Sequence, residues 1–236
     1  MNPLVWLTLS FLLAVQGVAQ DAKSLQQSRQ IKLSTGEVVD YLLYQPTVDA
    51  ESAKLPLLLF LHGGGEGGDD LEKVKTHGPP KEIEKGRDFP MIVISPLNPE
   101  IRGFWDEDRL ARFMDAVTKD LGHDENRVYL AGMSRGGYGS YRLAMENPDR
   151  FAAMLILCAA APTPYAQWLG DVPIWLIHGR KDPVIPVSES IEMEAVLRKK
   201  GRKVKLTIHP EASHDVWTQT FESNEAIDWL LKHKRS

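Results

Sequence analysis

The chain holds one cysteine in 236 residues. An intramolecular disulfide is therefore impossible, and the fold must be stable through burial and hydrogen bonding alone. A basic excess is also missing: 28 Lys and Arg face 32 Asp and Glu, a formal net charge of −4, so no nucleic-acid surface is expected. Neither HExxH nor CxxC spacing occurs, and no metal and no cofactor are expected. The apolar stretch from Leu4 to Val15 is too short for a comfortable membrane span, so no stable membrane partner is expected. Internal repeats, low-complexity tracts and dividing linkers are absent, as befits a single large domain.

What is present begins with a distinctive leader. MNPLVWLTLSFLLAVQGVAQ has no charged side chain, an apolar middle, and then the small residues Gly17 and Ala19. This reads as a secretory signal over residues 1–20, cut near Ala19 or Gln20, although the usual Lys or Arg of its first segment is missing. Residues 21–236 then form the exported domain, in a periplasm or outside the cell, with Asp21 to Arg29 as a loose polar terminus.

Beyond it, short apolar runs alternate with helical patterns. IKLS and VVDYLLYQP flank Thr35 and Gly36 like a hairpin, and LPLLLFLH at 55–62 is continuous, as a strand buried on both faces requires. Similar runs are MIVIS at 91–95, RVYLAG at 127–132, MLILCAA at 154–160, PIWLIHG at 173–179 and KVKLTIHP at 203–210. Helical spacing covers 109–121, 137–147, 188–200 and 221–232. The alternation predicts an α/β domain with a mostly parallel sheet and a leading antiparallel hairpin. Gly63 to Pro90 reads as a long irregular loop, and such loops are often functional. Cys158, inside MLILCAA, reads as a small buried hydrophobe.

The chemistry is carried by GMSRG at 132–136. A strand that turns into a helix within one or two residues strains its turn residue and crowds its neighbours, which Gly132 and Gly136 relieve. Ser134 would stand on that turn above the positive end of a helix. A serine hydroxyl is a poor nucleophile at neutral pH, so it needs a base, and the base needs an orienting acid. Asp182 falls in the loop after the strand IWLIHG, and His214 in the loop after VKLTIHP. All three then lie at the carboxyl edge of the sheet, in the order Ser, Asp, His. The competitors fit less well. His209 sits too early, at the strand end, and His178 reads as a structural histidine. His77, His123 and His233 have solvated contexts. Asp171 precedes its strand, and Asp215 is adjacent to His214 in sequence.

Acyl transfer also needs donors for an oxyanion. FLHGGGEGG places glycine backbone at the site, so the N–H groups of Gly64 and Arg135 are the expected oxyanion hole, with His62 shaping the loop. Gly63, Gly65 and Gly68 also match the dinucleotide pattern GxGxxG, but no helix of the required length follows and no acidic residue ends the next strand.

FLHGGGEGGDD, Ser95 and Pro96, GMSRGGYGSYRLAMENPDRFAA, IHGRKDPVIP and SHDVWTQTF together resemble, in order, the secreted bacterial α/β-hydrolase esterases. These are relatives of polyhydroxybutyrate depolymerases, feruloyl and acetylxylan esterases and the phospholipase/carboxylesterase group, near the prolyl oligopeptidase type of catalytic domain. The resemblance implies the α/β-hydrolase fold and the triad Ser134, Asp182 and His214. Many relatives carry an Arg after the acidic residue of the oxyanion loop, whereas here Glu66 is followed by Gly67. Only APTPYAQWLGDV separates Ala160 from Pro173, which leaves no room for a lipase lid there. Trp105, Tyr138 and Trp217, with Tyr165 and Trp168, are the expected rim of the site, suiting a soluble small-molecule or polysaccharide-linked ester. A peptidase or amidase on the same triad, or a non-catalytic domain of the same shape, are the other readings.

Overall fold

Leu57–Leu61 is a run of five apolar residues in which parity decides the destination of each. Leu57, Leu59 and Leu61 enter one hydrophobic core, and Leu58 and Phe60 enter another. Each is fully buried, as a central strand covered on both faces demands. This strand, β3, lies within an eight-stranded sheet of a computed structural model that describes residues 26–46 and 54–235. The signal expected at 1–20 lies outside the described residues.

The other strands are β1 (Gln26–Lys32), β2 (Val38–Tyr44), β4 (Ile92–Pro96), β5 (Val128–Met133), β6 (Ala153–Leu157), β7 (Ile174–Gly179) and β8 (Val204–His209). Their order is β1-β2-β4-β3-β5-β6-β7-β8. β1 pairs antiparallel with β2, β2 antiparallel with β4, and every later pair is parallel. This is the α/β-hydrolase architecture the sequence predicts, leading hairpin included.

Among the described residues six α-helices cover the sheet: α1 (Gly78–Glu84), α2 (Glu107–Thr118), α3 (Arg135–Glu146), α4 (Ser188–Lys199), α5 (Trp217–Glu222) and α6 (Glu225–Leu231). Buried side chains of α2, α3 and α4 join one core, and those of α1, α5 and α6 the other. In α2 the buried residues are Leu110, Phe113, Met114 and Val117, a single stripe at helical spacing. Among the described residues no helix is long and apolar enough to cross a membrane.

Three expectations need correction. Gln26 to Arg29 is strand rather than loose terminus, because an edge strand is held by backbone pairing to β2 and can leave Gln27, Ser28 and Arg29 in water, while buried Gln26 donates to the Pro80 carbonyl. The stretch 63–90 is not irregular throughout: it contains a 3-10 helix, Leu71–Thr76, and α1. Pro79 and Pro80, which look like breakers, occupy the first turn of α1, where a missing N–H costs nothing. The helix expected over 221–232 is two helices, α5 and α6, with Ser223 extended between them. Arg87, far away in sequence, donates to the Phe221 and Ser223 carbonyls and so satisfies the interrupted backbone.

Candidate active site

Ser134 joins β5 to α3 with φ 53° and ψ −119°, a conformation that costs a non-glycine residue of the order of 1–3 kcal/mol. The turn is tight enough that a Cβ on Gly132 would collide with the Gly136 carbonyl and Ser140 Oγ. A Cβ on Gly136 would collide with the Leu61 carbonyl of β3. The two glycines are therefore the condition for bringing Ser134 up at the sheet edge, with α3 starting close against the neighbouring strand β3.

The loops after β7 and β8 carry Asp182 and His214 to the same edge. His214 Nε2 lies 2.9 Å from Ser134 Oγ, and His214 Nδ1 lies 2.6 Å from Asp182 Oδ2. Asp182 Oδ1 accepts the backbone N–H groups of Val184 and Ile185 at 2.8 and 2.9 Å. Burial would raise the Asp182 pKa, but His214 and these two N–H groups outweigh it, and the carboxyl titrates below its ordinary value. It is held as a carboxylate, with one oxygen fixed by backbone and the other facing His214.

His178, at the end of β7, reaches the same carboxylate. Its Nε2 is 2.9 Å from the Ile185 carbonyl and 3.2 Å from Asp182 Oδ2, and its Nδ1 is 2.7 Å from Ser190 Oγ. With the Nε2–H tautomer, the ring donates to the Ile185 carbonyl and accepts from Ser190, and Asp182 Oδ2 lies beside the same nitrogen. The structural role expected of His178 is met, with a contact to Asp182 that spacing alone did not suggest.

Cys158 is buried, as expected, and takes φ 46° at the end of β6. Its thiol is pushed up to about 12 by burial. Cys158, His178 and Asp182 bring atoms of ligand type within 4.8 Å of one another, the one such group among the described residues. An ion there would have to compete with His214 for Asp182 and ionise a thiol that burial keeps protonated.

On the other side, the loop after β3 is tied down by His62. Its Nδ1 lies 2.7 Å from the Gly63 carbonyl, its Nε2 accepts the Asn98 N–H at 3.0 Å, and its own carbonyl accepts Trp105 Nε1–H at 3.2 Å. Burial lowers the His62 pKa to about 4, so the ring is neutral near pH 7. Gly64 lies half-buried beside the Arg135 guanidinium, close enough that a Cβ would meet Arg135 Cζ at 2.6 Å. Arg135 Nη1 in turn donates to the Ile101 and Gly103 carbonyls at 3.0 and 3.1 Å. The backbone N–H of Arg135 opens α3 and has no partner within that helix.

An open cavity of about 540 Å³ has Ser134 and Arg135 in its wall, with Phe104, Tyr138, Ala160, Ala161, Pro162, Val184, Ile185 and Glu189. Tyr138 stands in the same wall as Ser134. Trp105 and Trp217 do not belong to this wall: they are 3% and 8% exposed. Trp105 packs on the His62 ring at 4.8 Å, and Trp217 stands edge-on to His214 at 5.2 Å. Both are large enough that the core claims them, and they act as backing for His62 and His214. The lining residues Phe104, Val184 and Ile185 escaped the sequence reading. Their signal is positional, since residues just beyond the carboxyl ends of strands line the crevice of an open α/β sheet.

Fold and site geometry together define an α/β-hydrolase. Residues 107–231 match the Phospholipase/Carboxylesterase family, and the chain belongs to it. The protein named "Probable feruloyl esterase C" of Aspergillus terreus is 29% identical over 165 residues, 65% of this chain and 58% of that protein. "Bifunctional acetylxylan esterase/xylanase XynS20E" of Neocallimastix patriciarum is 26% identical over 160 residues, 65% of this chain and 23% of that protein. The crystal structure of a thermostable esterase superposes with a TM-score of 0.76 at 27% identity, covering 89% of this chain and 64% of that one. The chain spans less than two thirds of the length of each of these relatives.

Proposed function

We propose that the protein is a serine esterase that hydrolyses soluble short-chain, aromatic or sugar-bearing carboxylic esters through an acyl-enzyme. The observation that carries this reading is the continuous chain Ser134 Oγ, His214, Asp182, with links of 2.9 and 2.6 Å beside an open, mainly apolar cavity. Ser134 Oγ attacks the ester carbonyl while His214 Nε2 takes its proton, and Asp182 holds Nδ1–H and supports the imidazolium that forms. The N–H groups of Arg135 and Gly64 receive the oxyanion, aided by the positive end of α3. His214 then returns the proton to the departing alcohol. Water, deprotonated by the same ring, releases the acid.

Support for soluble substrates comes from the segment between β6 and β7, which is a single 3-10 helix, Thr163–Leu169, held by buried Ala166 and Leu169. It packs on α3 and α4. Export is proposed from the signal-like residues 1–20.

Labelling with a fluorophosphonate tests the mechanism. The wild type is expected to be modified at Ser134 and to hydrolyse p-nitrophenyl acetate, with both lost in Ser134→Ala. A labelled protein that cleaves peptides and no ester would overturn the ester reading.

A further inference from the structure

The 3-10 helix Thr163–Leu169 buries Ala166 and Leu169 and turns two large aromatics the other way. Tyr165 and Trp168 are 46% and 51% exposed, although both are residue types that folding would normally cover. Their rings are stacked, 4.8 Å between centroids and 11° from parallel, so each restrains the other in one orientation. A small cavity of about 130 Å³ lies against them, and Arg142 and Glu146 also line it. It shares Tyr138, Ala161 and Pro162 with the cavity at Ser134, so the two are neighbours on one continuous wall. Arg142 is paired with Glu107, which orients its guanidinium.

We propose that Tyr165 and Trp168 form a sugar platform that holds the carbohydrate part of an ester while its acyl group occupies the cavity at Ser134. This rests on the ester reading above and specifies its alcohol. A pyranose ring presents flat C–H faces that stack on aromatic planes, and a rim of hydroxyls that needs donors and acceptors. The platform supplies the first, and Arg142 and Glu146 supply the second. A lipid tail offers no hydrogen-bonding group to Arg142 or Glu146 and would take their polar ends out of water for no return. A peptide added as a strand needs an open sheet edge, and those edges are β1 and β8, whereas this segment follows β6 inside the sheet. Because the aromatic pair is already stacked, little side-chain freedom is lost when a ring settles on it.

Two measurements decide the matter. The first compares acetylated xylotriose with p-nitrophenyl acetate, which have the same acyl group on different alcohols. Trp168→Ala is expected to lower the ratio of kcat/KM for the sugar ester to that for the small ester about tenfold, mainly through KM. Trp168→Phe, which keeps a flat ring, should recover most of it. The second is calorimetric binding of xylohexaose and cellohexaose to the inactive Ser134→Ala protein, where saturable binding should disappear on adding Trp168→Ala. An unchanged ratio, or absence of binding to both hexaoses, overturns the platform while ester hydrolysis by the wild type still stands. Trp168-dependent binding without turnover of any ester would leave the sugar site intact and overturn the esterase reading instead.

Discussion

His178 and His214 approach one oxygen from two sides: Asp182 Oδ2 lies 3.2 Å from His178 Nε2 and 2.6 Å from His214 Nδ1. His214 is hydrogen-bonded to that oxygen, whereas the His178 N–H bonds to the Ile185 carbonyl and leaves its ring packed beside the carboxylate, restraining Asp182 without displacing His214. His178 is therefore a positioning residue. Replacing it with Leu removes the polar N–H beside Asp182 Oδ2, leaving that oxygen to place more of its charge on His214. The expected result is a fall in kcat/KM of about tenfold, about 1.4 kcal/mol, with the acid limb of its pH profile moved to higher pH. His178→Gln retains a donor and should restore most of both. A fall in rate with an unmoved acid limb in His178→Leu would assign His178 to packing alone.

Ser134 sits at φ 53°, where L side chains are disfavoured. Ser134→Gly should be more stable than Ser134→Ala by about 1 kcal/mol, since only glycine relaxes the backbone strain. Both variants should lose at least about a thousandfold in kcat. Urea midpoints of the two variants read the first expectation and initial rates the second. Equal midpoints would show that the turn stores no strain.

The cavity at Ser134 is open, and Phe104 and Val184 in its wall are 61% and 64% exposed. Such walls desolvate only the first few methylenes of an acyl chain, each contributing up to about 0.8 kcal/mol. Along p-nitrophenyl acetate, butyrate, octanoate and palmitate, measured below their aggregation limits, kcat/KM should stop rising by octanoate. A rise continuing to palmitate, with activation at a lipid surface, would indicate a deep acyl tunnel and a cover supplied from elsewhere.

His62 couples stability to acidity. Burial lowers its pKa in the folded chain to about 4, whereas the unfolded chain binds a proton at the ordinary histidine value of about 6.5. Between these values protons favour the unfolded state. The stabilisation is complete above the unfolded value and is lost as pH falls toward about 4, to the extent of about 3 kcal/mol. Burial raises the neighbouring Glu66 pKa, which acts in the opposite direction, so the comparison has to isolate His62. Unfolding of the wild type and of His62→Gln across pH 4 to 8 should give curves that diverge as pH rises through the window. Parallel curves would mean that His62 is not kept neutral by the fold.

Much of the fold was legible from residue order because its signals are local. Continuous apolar runs marked the central strands, and the close packing behind Gly132 and Gly136 follows from the tight turn that those glycines imply. The order Ser134, Asp182, His214, after β5, β7 and β8, likewise puts the three residues on one edge, and the sheet brings them within hydrogen-bond reach. Tertiary structure decided what depends on partners distant in the chain. The break between α5 and α6 is satisfied by Arg87, and no periodicity near 223 reports that. An aromatic side chain suits a rim and a core equally, and only the packing of Trp105 against His62 and of Trp217 against His214 places these two in the core. Tyr165 and Trp168 met the opposite outcome, since their helix buries Ala166 and Leu169 and has one face to spare. Local sequence determines which side chains are available at an edge of the sheet. Burial, a competition over the whole molecule for a limited interior, determines which of them face the substrate.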